Sequence, residues 1–153
     1  MDSELEGVIF TPLKIIADER GEVRRGLKAS EGSFCGFGEI YFSSVNQGIV
    51  KGWKKHSRMQ SNLIVLSGDI RFVVFDDRID SSTHGKVGSF VLRKSANYGR
   101  LFIPRGMWLA FQGLSAGINQ LVNIASIEHD PVESVVRQLD DPSMPAIDWK
   151  LPI

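Results

Sequence analysis

Histidine and cysteine are scarce in this chain. Three histidines, His56, His84 and His129, and one cysteine, Cys35, occur in 153 residues. A lone cysteine excludes an internal disulfide and fits a reducing cytoplasm. Three scattered histidines argue against a histidine-rich metal centre. Charge of one sign is also lacking, with 18 Lys+Arg against 18 Asp+Glu. No net field therefore draws the chain to nucleic acid or to a membrane surface, although a local basic cluster can still hold phosphate. No apolar run approaches the length of a membrane span, and no signal peptide is expected ahead of the fold. Long helical periodicity is missing too. The only stretch with a trace of it is 130–139, which is read as a weak helix.

What the chain has is short apolar runs punctuated by turn residues, with 15 glycines. Strands are expected over 39–44, 63–66, 70–75, 90–92, 101–103, 108–111 and 118–125. Ser67-Gly68-Asp69 reads as the turn of a hairpin between the second and third of these. The stretch 76–88 is polar and loop-like. Many short strands and frequent glycine indicate an all-β barrel or sandwich. One domain is expected over 1–153, with an N-terminal arm over 1–10 and an extended tail over 140–153 that carries three of the six prolines.

The segment Gly99 to Phe111 is a strand, then Pro104-Arg105-Gly106, then a second strand. It resembles metal-binding β-barrels of the cupin type, in which the third residue after that glycine is a histidine ligand. Here it is Leu109. Further segments, in order, resemble the dTDP-4-dehydrorhamnose 3,5-epimerase family, metal-free cupins that act on nucleotide sugars. They are Asp18-Glu19-Arg20-Gly21, Gly48 to Lys54, Ser67-Gly68 through Asp77-Arg78, Ser82 to Gly85, Ile103 to Gly106, and Asp140-Asp141-Pro142 with Ile147-Asp148-Trp149. The resemblance implies a cupin-type double-stranded β-helix, a jelly-roll barrel. It also implies a homodimer in which Arg20 serves the neighbouring subunit's site.

The departures from the pattern fall on the chemistry. Lys54 stands where the family has its catalytic base, a histidine. His129, two residues before Pro131, stands where the family has a general-acid tyrosine. The aspartate that supports the base is matched by Asp141. Around His56 and Gln60 the chain is also similar to the sugar 3,4-ketoisomerases, whose Arg-Gly-x-His-x-His would keep its second histidine as His56.

Epimerisation beside a ketone needs a base for the α-proton and a donor for the opposite face. Imidazole titrates near neutrality unaided, whereas lysine needs its pKa lowered by burial or nearby cations. Lys54, His56 and Arg58 alternate along a strand and would share a face. Lys54 is then a base, a phosphate ligand or a partner of Asp141. His56 is a base or a hydrogen-bonded barrel histidine, and His129 is an acid or a solvated turn. Asp141 orients the base or serves a turn. Arg20, Lys51, Arg58, Gln60 and Arg105 are candidates for substrate binding, and Trp108 for stacking on the nucleotide base or for the barrel core. Lys51 and Lys54 differ in strand parity, so both reach one pocket only if Gly52 allows a bulge or twist. Of the positions that match cupin ligands, Lys54, His56, Gln60 and Leu109, one is a good ligand, so no metal and no cofactor are expected.

These readings converge on an epimerase-like isomerase for a nucleoside-diphosphate 4-keto-6-deoxyhexose, in the cytoplasm, in surface polysaccharide biosynthesis. The alternatives are a catalytically degenerate barrel that binds a nucleotide sugar, and a 3,4-ketoisomerase.

Overall fold

The computed structural model describes residues 4–151. Twelve strands and no helix occur among them: β1 (Ile9–Pro12), β2 (Ile15–Asp18), β3 (Gly21–Arg24), β4 (Glu39–Val45), β5 (Val50–His56), β6 (Ser61–Ser67), β7 (Asp69–Phe75), β8 (Val87–Arg93), β9 (Gly99–Ile103), β10 (Trp108–Gly113), β11 (Asn119–Ala125) and β12 (Ser134–Val136). Ten of them form two five-stranded antiparallel sheets, ordered β1-β9-β6-β11-β4 and β12-β5-β10-β7-β8, and β2 pairs with β3 as a separate hairpin. This is the all-β architecture that the short strands and glycines call for, in the jelly-roll arrangement that the resemblance implies.

The core lies between the two sheets. Leu63 and Val65 of β6, Ile70, Phe72 and Val74 of β7, Leu101 and Ile103 of β9, and Leu121 of β11 meet there, each almost fully buried. Each such side chain stabilises the fold by roughly 1.5–3 kcal/mol. β7 reads as an unbroken apolar run because both its faces are covered. Val73 points away from the core, yet it is buried in a second cluster with Trp53, Trp108 and Ala110. The tail supplies the cover, through Met144, Ile147 and Trp149.

Two expectations are corrected. Ser67-Gly68-Asp69 is not a hairpin turn, because β6 pairs with β9 and β11 while β7 pairs with β8 and β10. The turn is a corner that carries the chain from one sheet to the other. Gly68 is required at it: φ is +69°, and a Cβ would sit 2.5 Å from the Ile118 carbonyl oxygen. The weak helix over 130–139 is instead the edge strand β12, which pairs Ser134 with His56 and Val136 with Lys54. Two adjacent β-branched valines, Val135 and Val136, favour the pleat over the helix. The N-terminal arm, where it is described, packs against the barrel. Leu5, Val8 and Phe10 enter the core, and β1 pairs with β9. Residues 1–3 of that arm and 152–153 of the tail lie outside the described residues.

Candidate active site

At one end of the barrel, where the core side chains stop, a cavity of about 420 Å³ opens between the sheets. β5 dominates one wall and owes its geometry to an extra residue. Leu109 of β10 pairs with Lys54, but Phe111 pairs with Lys51, so three steps on β5 match two on β10. The bulge centres on Gly52, with φ at +136°, and a Cβ there would lie 2.6 Å from the Ala110 Cα. It restores parity. Lys51, Lys54 and His56 all line the cavity, while Val50 and Trp53 pack against the outer cluster. Leu109 and Phe111 line it as well, so the position that the resemblance matches to a cupin ligand presents only carbon.

His56 is not alone. Its Nδ1 is hydrogen-bonded to Glu133 Oε1. The other Glu133 oxygen accepts the backbone N–H groups of Arg58, at 3.0 Å, and Met59, at 3.3 Å. The Glu133 side chain is 2 % exposed. Burial pushes its carboxyl up, but the His56 hydrogen bond, the two backbone donors and the His56 charge outweigh this and leave it below the ordinary value. An ionised carboxylate has no proton to give, so Nδ1 carries the hydrogen; in the neutral form of the ring, which lines the cavity, Nε2 is then the acceptor. Glu133 sits here because β12 pairs alongside β5 and the Glu133 carbonyl takes Ser57 N–H at 2.9 Å.

From the other sheet, β4 contributes Tyr41 and Ser43, and β11 contributes Asn123. The Tyr41 hydroxyl donates to Glu39 Oε1 at 3.1 Å, and the same oxygen accepts the His129 backbone N–H at 2.9 Å. Burial first, then the hydrogen bond and charge of Glu39 and the charge of Glu133, push the Tyr41 phenol up. Asn123 lies opposite Tyr41 in the β4–β11 register and donates to Ser61 Oγ at 3.3 Å. Below this polar rim the floor is apolar, built from Leu63, Leu109, Phe111 and Leu121.

Lys51, Lys54, His56 and His129 are thus brought together, with Lys51 Nζ tied to the Ser44 carbonyl at 2.6 Å. Six expected site residues lie elsewhere. Arg58 pairs with Asp130 at 2.7 Å and points to solvent. Gln60 uses its backbone N–H on Ser126 Oγ and does not line the cavity. Arg105 is exposed in its turn. Trp108 is buried on the outer face of its sheet, donating to Asp77 at 2.8 Å beneath Lys55 and Arg137, so it offers no stacking surface to the cavity. Asp141 lies in the tail, where its carboxylate accepts from Ser143 Oγ and backbone N–H; the carboxylate beside His56 is Glu133 instead. Arg20 sits at the exposed tip of the β2–β3 hairpin and pairs with Asp18. Among the described residues, no group of three or more His, Cys, Asp and Glu side chains is placed to hold a metal ion.

Residues 2–153 match the dTDP-4-dehydrorhamnose 3,5-epimerase family. The chain belongs to that family. A dTDP sugar isomerase from Desulfovibrio desulfuricans G20 superposes with a TM-score of 0.92 and 34% identity, covering 97% of this chain and 94% of that one. A probable low-salt glycan biosynthesis epimerase, Agl13, of Haloferax volcanii is 29% identical over 120 residues, 77% of this chain and 76% of its own. The spore coat polysaccharide biosynthesis protein SpsL of Bacillus subtilis is 22% identical over 145 residues, 95% of this chain and 90% of its own. In this member the cavity is lined by Lys54, His56 and His129, with Glu133 hydrogen-bonded to His56.

Proposed function

We propose that this protein is an isomerase that epimerises a nucleoside-diphosphate-linked 4-keto-6-deoxyhexose, in glycan or polysaccharide biosynthesis, by proton abstraction next to the ketone. The observation that carries the reading is the His56–Glu133 pair at the wall of the cavity. Glu133 fixes the tautomer and the ring orientation, as an orienting acid does in a hydrolytic triad. Nε2 of His56 then takes the α-proton, while the Lys54 ammonium faces the oxygen on which the enolate charge develops. Lys51, at the exposed rim, supplies positive charge for the diphosphate. The apolar floor suits the deoxy carbon of the sugar.

The protein is proposed to act in the cytoplasm as a homodimer. Ile40 and Phe42 on the edge strand β4 are 44% and 64% exposed, an apolar strip that a second copy would cover, and Arg20 stands clear of its own chain's cavity. Sedimentation at micromolar concentration checks this, and a monomer there removes the dimer.

The decisive experiment is incubation with a dTDP-linked 4-keto-6-deoxyhexose in D₂O, followed by NMR. Deuterium entering at C3 or C5 with inversion is expected, and His56→Ala abolishes it. A migrated ketone would instead identify a 3,4-ketoisomerase, the reading favoured by His56 as the surviving second histidine of that motif. Nucleotide binding with no deuterium uptake would identify a binding barrel, the reading favoured by Lys54 in the base's position.

A further inference from the structure

Inversion needs a proton to leave one face of a carbon and another to arrive on the opposite face. His56 accounts for one face. We propose that the Tyr41 hydroxyl delivers the proton to the other. The proposal rests on the epimerase reading above and deepens it by naming the donor.

Four observations converge on Tyr41. It projects into the same cavity as His56 but from the other sheet, so the two groups approach a bound sugar from different walls. Its ring is fixed by the bond to Glu39, and the hydroxyl hydrogen is free to rotate from Glu39 toward a substrate carbon. Burial and the two nearby carboxylates keep the phenol protonated, which is the form a donor requires. Its cross-strand neighbour Asn123 also lines the cavity and has a side-chain oxygen that is buried and without a partner, an acceptor suited to a sugar hydroxyl beside the reacting carbon. His129, where the resemblance implies the acid, is exposed and is held by its backbone N–H rather than by its ring.

The step balances. His56 Nε2 takes the proton from the carbon next to the ketone, and the C–H electron pair becomes the enolate double bond. The negative charge collects on the ketone oxygen facing Lys54. The enolate carbon then takes the Tyr41 proton on its other face, restoring the ketone and leaving a phenolate. Phenolate and imidazolium each exchange one proton with solvent, and the site is reset.

The test separates deuterium uptake from inversion. With Tyr41→Phe in D₂O and a dTDP-linked 4-keto-6-deoxyhexose, uptake continues, because His56 returns a solvent-exchanged proton to the original face. Inversion falls by roughly 10²–10⁴-fold. Inversion that persists at the wild-type rate overturns the proposal, and so does a parallel loss of uptake and inversion, which marks a structural role. His129→Ala carries the rival assignment and holds should Tyr41→Phe not fold. Loss of inversion there with uptake retained moves the donor to His129 and overturns the proposal. Inversion retained in His129→Ala supports it. Absence of uptake in the wild-type protein overturns the epimerase reading itself, a failure distinct from the others.

Discussion

Two buried carboxylates, Asp76 and Glu133, hold this barrel together at different places and in different ways. Asp76 is fully buried where the β7–β8 loop begins. It receives the Arg78 guanidinium at 2.8 and 2.9 Å and the hydroxyls of Ser81 and Thr83 at 2.6 and 2.7 Å. Arg78 goes on to the Glu6 carbonyl at 2.7 Å, which ties the loop to the N-terminal segment. Glu133 is nearly as buried and accepts three hydrogen bonds against five at Asp76, but one of its partners is an imidazole at the cavity. The difference lies in the partner. A guanidinium never releases its proton at physiological pH, so Asp76 makes a clasp. An imidazole does, so in the proposed chemistry Glu133 makes a site.

The comparison is broken most forcefully at the clasp. Asp76→Ala strands the Arg78 charge and two hydroxyls, and a loss of about 3–5 kcal/mol is expected in urea unfolding. The surviving folded fraction should keep its deuterium uptake. Burial pushes the Asp76 carboxyl up, but the donors from Arg78, Ser81 and Thr83 outweigh it and hold the group well below the usual range. A depressed folded pKa gives stability that is full above the unfolded value of about 3.9 and drains as pH falls through the folded one. The stability gap between wild type and Asp76→Ala should therefore be constant from neutrality down to about pH 5 and should narrow in stronger acid. A gap that widens on acidification contradicts the assignment.

Glu133→Gln should do the reverse. The amide keeps the shape but offers Nδ1 a donor or a weaker acceptor, and the ring loses its fixed tautomer. Deuterium uptake is expected to fall about 10²-fold, with a stability loss of only roughly 1–3 kcal/mol. Equal loss in both measurements would make Glu133 a second clasp. The smallest effect belongs to Asp141, a carboxylate bonded, among the described residues, within its own turn and to Arg137 at 3.8 Å. Asp141→Ala should leave the melting temperature and the uptake rate unchanged, and a selective loss of uptake would restore it as the support of the base.

Much of the barrel was legible because its strands are short, apolar and bounded by glycine and polar turns. Local pattern does not say which sheet a strand joins. Ser67-Gly68-Asp69 has hairpin chemistry, and only the pairing of β6 and β7 with other strands makes it a corner. The site divides in the same way. Lys51, Lys54 and His56 were readable from alternation plus one glycine that permits a bulge. Glu133 was not, because it meets His56 across 77 positions through a strand of three residues. A period-2 reading of 132–136, in place of a helical one, was the available signal. Tyr41 lies on a strand that carries no motif, although its alternation with Ser43 marks an inward face.

The extra residue at Gly52 has a consequence for comparing this chain with its relatives. It divides β5 into two segments of opposite phase: before it odd-numbered residues point inward, after it even-numbered ones do. An alignment that shifts by one place there exchanges inside for outside while looking conservative in letters. A grafted active site, or an inferred ancestor, must carry the glycine and its offset together, since the residues on either side keep their meaning only in that frame.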